Sequence, residues 1–316
     1  MTMYGVSTAW ATKSTSDVEL ILQKFKNIAV SVLELEYRIT EQMWKKLILK
    51  LREQKFQVVS LHNFCPLPNF LQPEDGAADA LLFSSLDEEE RKLAVKYGIR
   101  TLQQAHELEV QAVVFHFGRV EMDDEPELFY GYFDRQEVGS ENWQKDRDRI
   151  LEERQKKRQK YLDAVLFSLE QLNREAEKLG VFIGVENRVH VREIPSFDDF
   201  AEIFARFDGG RVRFWYDVGH ARVLEVLGFL EPFQILKAYH DRLIGVHFHD
   251  VRGYGDHWAP GQGEVDFKQL KSLLSKSKSD YIKVIEVHDK VSPEELVSGI
   301  QFLQQLDYCE STSLRK

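Results

Sequence analysis

Cysteine is scarce: Cys65 and Cys309 are the only two in 316 residues. Two thiols cannot build a disulfide framework, so a reducing, cytoplasmic setting is expected. Long apolar runs are missing as well. No stretch reaches the roughly 20 residues that cross a bilayer, and the N-terminus has no charged-then-apolar leader pattern, so no membrane association is expected. Basic residues are outnumbered, with 42 Lys and Arg against 52 Asp and Glu and a formal net charge of −10. That balance argues against a broad nucleic-acid surface and suits a site that concentrates cations. No linker or low-complexity tract interrupts the chain, and its unit lengths vary too much for a solenoid. With 43% hydrophobic and 30% charged residues, residues 1–316 read as one large globular domain.

Short apolar runs alternate with longer amphipathic segments. The runs Met3–Ser7, Val32–Tyr37, Val58–His62, Ala112–Phe117, Phe182–Glu186, Val212–Asp217, Ile244–His249 and Ile282–Val287 are predicted strands. Between them, helical periodicity covers Asp17–Lys26, Glu41–Glu53, Glu88–Glu109, Lys145–Leu179, Phe197–Phe207, Ala221–His240, Phe267–Lys276 and Pro293–Leu306. Ser196 or Asp198 and the pair Ser292-Pro293 are start signals, and Gly180 is a stop signal. Eight strand–helix units in one chain predict an α/β fold, a single (β/α)8 TIM barrel. Two connections are unusually long, Asn63–Asp87 after strand three and Gly118–Trp143 after strand four. Barrel geometry puts both on the rim where catalytic residues gather.

Ionisable side chains cluster where the strands end. Strand three ends in His62 and strand four in His116, while strand five ends in Glu186 followed by Asn187. Strand six ends in Asp217, with His220 three residues on. Strand seven carries His247 and His249, which period-two alternation puts on one face, and Asp250. A Gly-rich loop with Asp256, His257 and the turn PGQG follows, and strand eight supplies Glu286, with His288 two residues later. Imidazoles buried beside carboxylates are costly unless they pair or hold a cation. Convergence of six strand ends therefore predicts a metal site, and mixed nitrogen and oxygen donors suit Zn, Mn, Co or Fe better than Ca.

The motifs GVENR (184–188), YDVGHA (216–221), HFHD (247–250), HWAPGQGEVDF (257–267) and VIEVH (284–288) resemble those of the xylose isomerase-like TIM-barrel superfamily. That superfamily includes sugar isomerases and epimerases, inosose dehydratases and the endonuclease IV branch. For the sugar enzymes the resemblance implies one divalent ion, Zn or Mn before Co, Fe or Mg, on Glu186, Asp217, His247 and Glu286. It also implies Glu186 and Glu286 as the proton-exchanging pair, with His220 and His257 against the substrate. The expected reaction is isomerisation or epimerisation of a sugar or sugar phosphate through an enediolate, with a small carbohydrate or polyol as partner and nucleic acid not expected. The endonuclease branch would add ions at His62, His116, His220 and His257, with Asp256 and His249 as further candidate ligands or substrate contacts. There the chain departs from the branch pattern: Gly255 stands where an Asp is expected, and Asp256 is one residue out of register.

Two other readings accompany this one, a di- or multinuclear metallohydrolase and a non-catalytic binding barrel. The aromatics Phe64, Phe70, Phe129, Tyr130, Tyr132 and Phe133 of the two long connections predict a partly lidded pocket. Their plainer role is to pack on each other or to cover an interface in a homo-oligomer. The acidic cluster Glu121, Asp123, Asp124 and Glu125 is expected to repel a nucleic-acid backbone at this mouth.

Overall fold

The computed structural model describes residues 4–72, 79–277 and 280–313, with side chains as far as Asp307. Met3 of the first expected strand, Pro73 of the first long connection and the side chain of Cys309 lie outside the described residues. The described residues form ten strands: β1 (Gly5–Ser7), β2 (Val32–Leu35), β3 (Gln57–His62), β4 (Ala112–Phe115), β5 (Phe182–Glu186), β6 (Val212–Asp217), β7 (Leu243–Phe248), β8 (Asp250–Arg252), β9 (Gly255–Trp258) and β10 (Ile282–Ile285). Strands β8 and β9 pair only with each other. The remaining strands close into a parallel barrel in the order β1-β10-β7-β6-β5-β4-β3-β2. Around it run α1 (Ala9–Thr12), α2 (Val18–Asn27), α3 (Glu41–Glu53), α4 (Glu88–Glu107), α5 (Pro126–Asp134), α6 (Glu141–Leu179), α7 (Phe197–Arg206), α8 (Val218–Val226), α9 (Gln234–Tyr239), α10 (Phe267–Leu274) and α11 (Pro293–Ser313). This is the (β/α)8 architecture expected from the alternation of apolar runs and amphipathic segments.

Local chemistry sets the element ends. Asp17, Thr40, Asp87, Ser140, Asp217 and Asp266 each accept a backbone N–H in the first turn of the helix that follows, satisfying donors the helix cannot. Gly180 stops α6 in the left-handed region at φ 73°. Of the two start signals for α7, Ser196 is the cap, and its own N–H donates to Asp199 at 2.8 Å.

Four expectations need correction. The helix predicted over Ala221–His240 is two, α8 and α9, because Gly228 at φ 82° and Pro232 interrupt it. The connection Gly118–Trp143 contains α5, and α6 already starts at Glu141. The Gly-rich stretch after strand seven is the β8–β9 hairpin. Strands four and eight stop early, so His116 and Glu286 stand just past β4 and β10.

Inside the barrel, Ala112, Val114, Trp215, Ile244 and Val284 form a floor separate from the larger core under the helices. A Cβ at Gly245 would lie 2.2 Å from the Trp215 ring, and one at Gly184 would lie 2.9 Å from it. Those two glycines make room for the indole, whose ring sits 5.0 Å from His247. Outside the barrel, a buried ionic knot ties α6 to α7. Asp199, fully buried, meets Arg154 and Arg158, and Arg154 also donates to the carbonyls of Val191 and Glu193. The loop after β5 is thereby fixed against the helical layer.

Candidate metal centre

Because the strands are parallel, their C-terminal ends share one rim, and the neighbouring strands β5, β6, β7 and β10 deliver Glu186, Asp217, His247 and Glu286 side by side. All four are buried, and one donor atom from each lies within 4.8 Å of the others. Three carboxylates converge on a single imidazole nitrogen. His247 Nδ1 is 2.6 Å from Glu186 Oε1, 3.1 Å from Glu286 Oε2 and 3.6 Å from Asp217 Oδ2. Burial opposes charge on His247, yet Glu34, Glu286 and Glu186 outweigh it and hold the ring well above its usual pKa. Burial likewise opposes ionisation of Glu186, Asp217 and Glu286, but the facing histidines keep all three below the usual carboxylate range. Three anions share one proton at a point where a divalent cation would neutralise them better. This mixed carboxylate and imidazole donor set fits a divalent transition metal.

The surroundings orient these groups. Asp217 caps α8, accepting the His220 N–H at 2.7 Å. Asn187 splices β5 to β6, donating to the Asp217 carbonyl at 2.9 Å and accepting the Asp217 N–H at 2.8 Å. His249 accepts the His257 N–H on Nδ1 at 2.8 Å, so Nε2 carries the proton and donates to Asp217 at 2.8 Å. Both nitrogens of His249 are engaged within the protein, as both nitrogens of His247 are, and its Nε2–H orients the Asp217 carboxylate. Asp250 turns away, accepting N–H groups of Gly261, Gly263 and Val265 at 2.8–3.0 Å. The PGQG turn is folded around that carboxylate.

Other candidates fall into three groups beside the first. His62 and His116 stand with ring centroids 4.8 Å apart, and with Glu186 they form a second set of close donor atoms. Burial and Arg188 push His116 down, while Asp79 and Glu186 raise it to about 9. Asp217, His220 and His257 form another set, as do Asp256, His257 and His288. Burial lowers the pKa of His220, whereas Asp256 and Glu286 override burial at His257 and hold it well above the usual value. His257 has left-handed backbone at φ 58°, and its Nδ1, 3.0 Å from Asp256, is buried without hydrogen-bond geometry to any partner.

Three neighbours were invisible to strand-end reasoning: Glu34, Arg188 and Asp79. Glu34 lies fully buried within β2 and reaches His247 Nε2 at 3.1 Å. A carboxylate in the apolar run VLEL is the only sequence signal for it. Arg188 and Asp79 border Glu186 and His116. A polar cavity of about 270 Å³ lined by Asp79, Arg119, Arg188 and Glu193 lies next to them. A larger one of about 590 Å³ opens between α6, α7 and α9, and Arg188 and His190 line both.

The two long connections meet where Ser84 Oγ hydrogen-bonds with the Arg119 backbone, and the aromatics of the second pack on the hairpin. Tyr130 stacks on Tyr254 of the hairpin at 4.2 Å, and Phe133 meets the same ring edge-on. Phe64, Phe129 and Tyr132 are core residues, and Phe70 is exposed. Three members of the acidic cluster have cations beside them. Glu121 pairs with Arg119, Glu125 with Arg149, and buried Asp124 lies near Arg192 and His190.

A family model described as xylose isomerase-like TIM barrel matches residues 24–306. The chain belongs to that family. An uncharacterized protein of Methanocaldococcus jannaschii is 26% identical over 221 residues, covering 68% of this chain and 64% of its own length. The chain thus spans less than two thirds of that relative. Among solved structures, a D-tagatose 3-epimerase-like protein superposes with TM-score 0.68 at 20% identity, over 99% of this chain and 100% of the other. A D-psicose 3-epimerase from Clostridium cellulolyticum H10, solved with D-tagatose, gives 0.65 at 12% identity over 96% and 99%. At such identities the likeness is one of fold. No helix among the described residues is long and apolar enough to cross a membrane.

Proposed function

We propose that this barrel is a divalent-metal-dependent isomerase or epimerase of a sugar or sugar phosphate. The observation that carries the reading is the convergence of Glu186, Asp217 and Glu286 on His247 Nδ1. Names of the structural neighbours support the same class. Glu186, Asp217, His247 and Glu286 would hold the ion, with Zn or Mn the best match to this donor set. When bound, such an ion polarises a carbonyl and its neighbouring hydroxyl, making the carbon-bound proton between them acidic. Glu286 is the more available base: Glu186 Oε1 meets His247, and its Oε2 meets both His116 and Arg188. His257 Nε2, 3.7 Å from Glu286 Oε2, and His220 face the same space and would orient substrate hydroxyls. Glu186 would be the partner carboxyl in that exchange: ionised as it stands, it would first take a proton from His116, whose Nε2 lies 2.7 Å from its Oε2, and then return one to the reacting carbon.

The test is solvent deuterium entering a substrate carbon, followed by NMR on a panel of ketoses and their phosphates. Wild type is expected to exchange only with metal present, and Glu186→Gln and Glu286→Gln should lose both exchange and tight metal while staying folded. Full exchange in both variants would refute the assignment. A second reading, a two-metal hydrolase, draws on the His62, His116 and Glu186 grouping and predicts metal-dependent cleavage of a phosphodiester instead.

A further inference from the structure

The second grouping already contains a cation. Arg188 is buried, and Glu193 Oε1 holds it from behind, accepting from Nε at 3.2 Å and from Nη2 at 2.9 Å. Nη1 then reaches Glu186 Oε2 at 3.2 Å and touches His116 Nε2. These are two of the three donor atoms a second ion would need, the third coming from His62, whose Nε2 is 3.7 Å from the same Glu186 oxygen. A guanidinium keeps its charge at any working pH and offers only donors, so it cannot become a ligand. An ion placed there would face a fixed like charge in a buried setting and would have to displace it. Displacement is opposed by the clamp. Glu193 is buried, its Oε2 accepts the His190 N–H at 2.8 Å, and its carbonyl accepts Arg154 Nη2 at 3.0 Å. Asp79 adds a further anion 3.5 Å from Arg188 Nη2.

We propose that Arg188 takes the place of a second metal ion, so that the centre holds a single divalent ion and the guanidinium is the fixed positive charge at its His62–His116 end. The proposal rests on the metal-dependent reading above and makes Arg188 a positioning residue for Glu186. It also separates the two functional readings. A two-ion centre can hold a bridging hydroxide, whereas an ion beside a guanidinium offers one metal and a set of hydrogen-bond donors to substrate oxygens.

The full chain is dialysed against Mn²⁺, desalted, counted by atomic emission, and examined by EPR, which distinguishes isolated from exchange-coupled manganese. Wild type should keep one isolated ion at this centre, and His62→Ala should leave that count unchanged. Arg188→Met, which keeps the aliphatic stem and removes the charge, should gain one ion and show exchange coupling. Adding His116→Ala to Arg188→Met should remove the gained ion. A coupled pair in wild type, a lost equivalent in His62→Ala, or a folded Arg188→Met with no gain overturns the proposal alone. Failure of every variant and of wild type to retain any ion overturns the metal-dependent reading with it.

Discussion

Glu34 offers the most direct probe of how the centre is tuned. Its carboxylate spans His247 Nε2, at 3.1 and 3.2 Å, and is held in turn by Ser60 Oγ at 2.7 Å. With an ion on Nδ1, the ring keeps its Nε2 proton and donates it to Glu34, which fixes the tautomer and raises ligand basicity. Replacing Glu34 by Gln keeps the shape and an acceptor but removes the charge. Loss of such an outer partner weakens metal affinity by about 10–100-fold, or about 1.4–2.7 kcal/mol. The proton on Nδ1 is stabilised by Glu34 as well, so at low pH the variant loses a competitor along with its support. The deficit should therefore be largest at high pH and shrink as the solution is acidified. Competition with a chromophoric chelator across a pH series measures it, and thermal unfolding verifies the fold. Folded Glu34→Gln protein with wild-type affinity at every pH would refute the reasoning.

Further expectations concern the same framework. Metal affinity in wild type should rise by about tenfold per pH unit below the raised pKa of His247, because one proton leaves Nδ1 for each ion bound; an affinity that does not change with pH contradicts the assignment of His247. Asp199→Ala leaves Arg154 buried without its anion and Arg158 with Glu202 alone, and should cost about 3–5 kcal/mol in urea unfolding near neutral pH. Burial raises the Asp199 pKa, but Arg154 and Arg158 outweigh it, so its stabilisation is present above the unfolded value of about 3.9 and lost as pH falls through the lower folded value. The difference between wild type and Asp199→Ala should accordingly narrow in acid, and a constant difference would count against this account. Gly219→Ala places a Cβ 2.0 Å from His249 Cε1, so the ring must leave Asp217. The expected result is about 1–3 kcal/mol of lost stability together with weakened metal binding, and wild-type behaviour in both assays would show that His249 does not orient Asp217.

Much of the centre was legible as one-dimensional pattern, for a geometric reason. Parallel strands in a closed barrel end on a common rim, so polar residues terminating apolar runs must gather there wherever each lies in the chain. Glu186, Asp217, His247 and Glu286 could be grouped on that argument and on family resemblance before any coordinate was known. Which neighbours face each of them was not legible. His247 and Glu34 are 213 residues apart, and their meeting depends on β2 and β7 facing each other across the barrel. Alternation put His249 on the same face as His247, but only the stacked hairpin shows that both its nitrogens are consumed by Asp217 and His257. Arg188 follows Glu186 by two residues and could have pointed into solvent. It turns inward because Glu193 closes on it from a loop that Arg154 pins to the helical layer. Sequence periodicity carries burial and strand ends because those depend on near neighbours in the chain. The pairing of charges in the pocket depends on which side chains the closed barrel brings within a few ångströms, and that is a property of the tertiary fold.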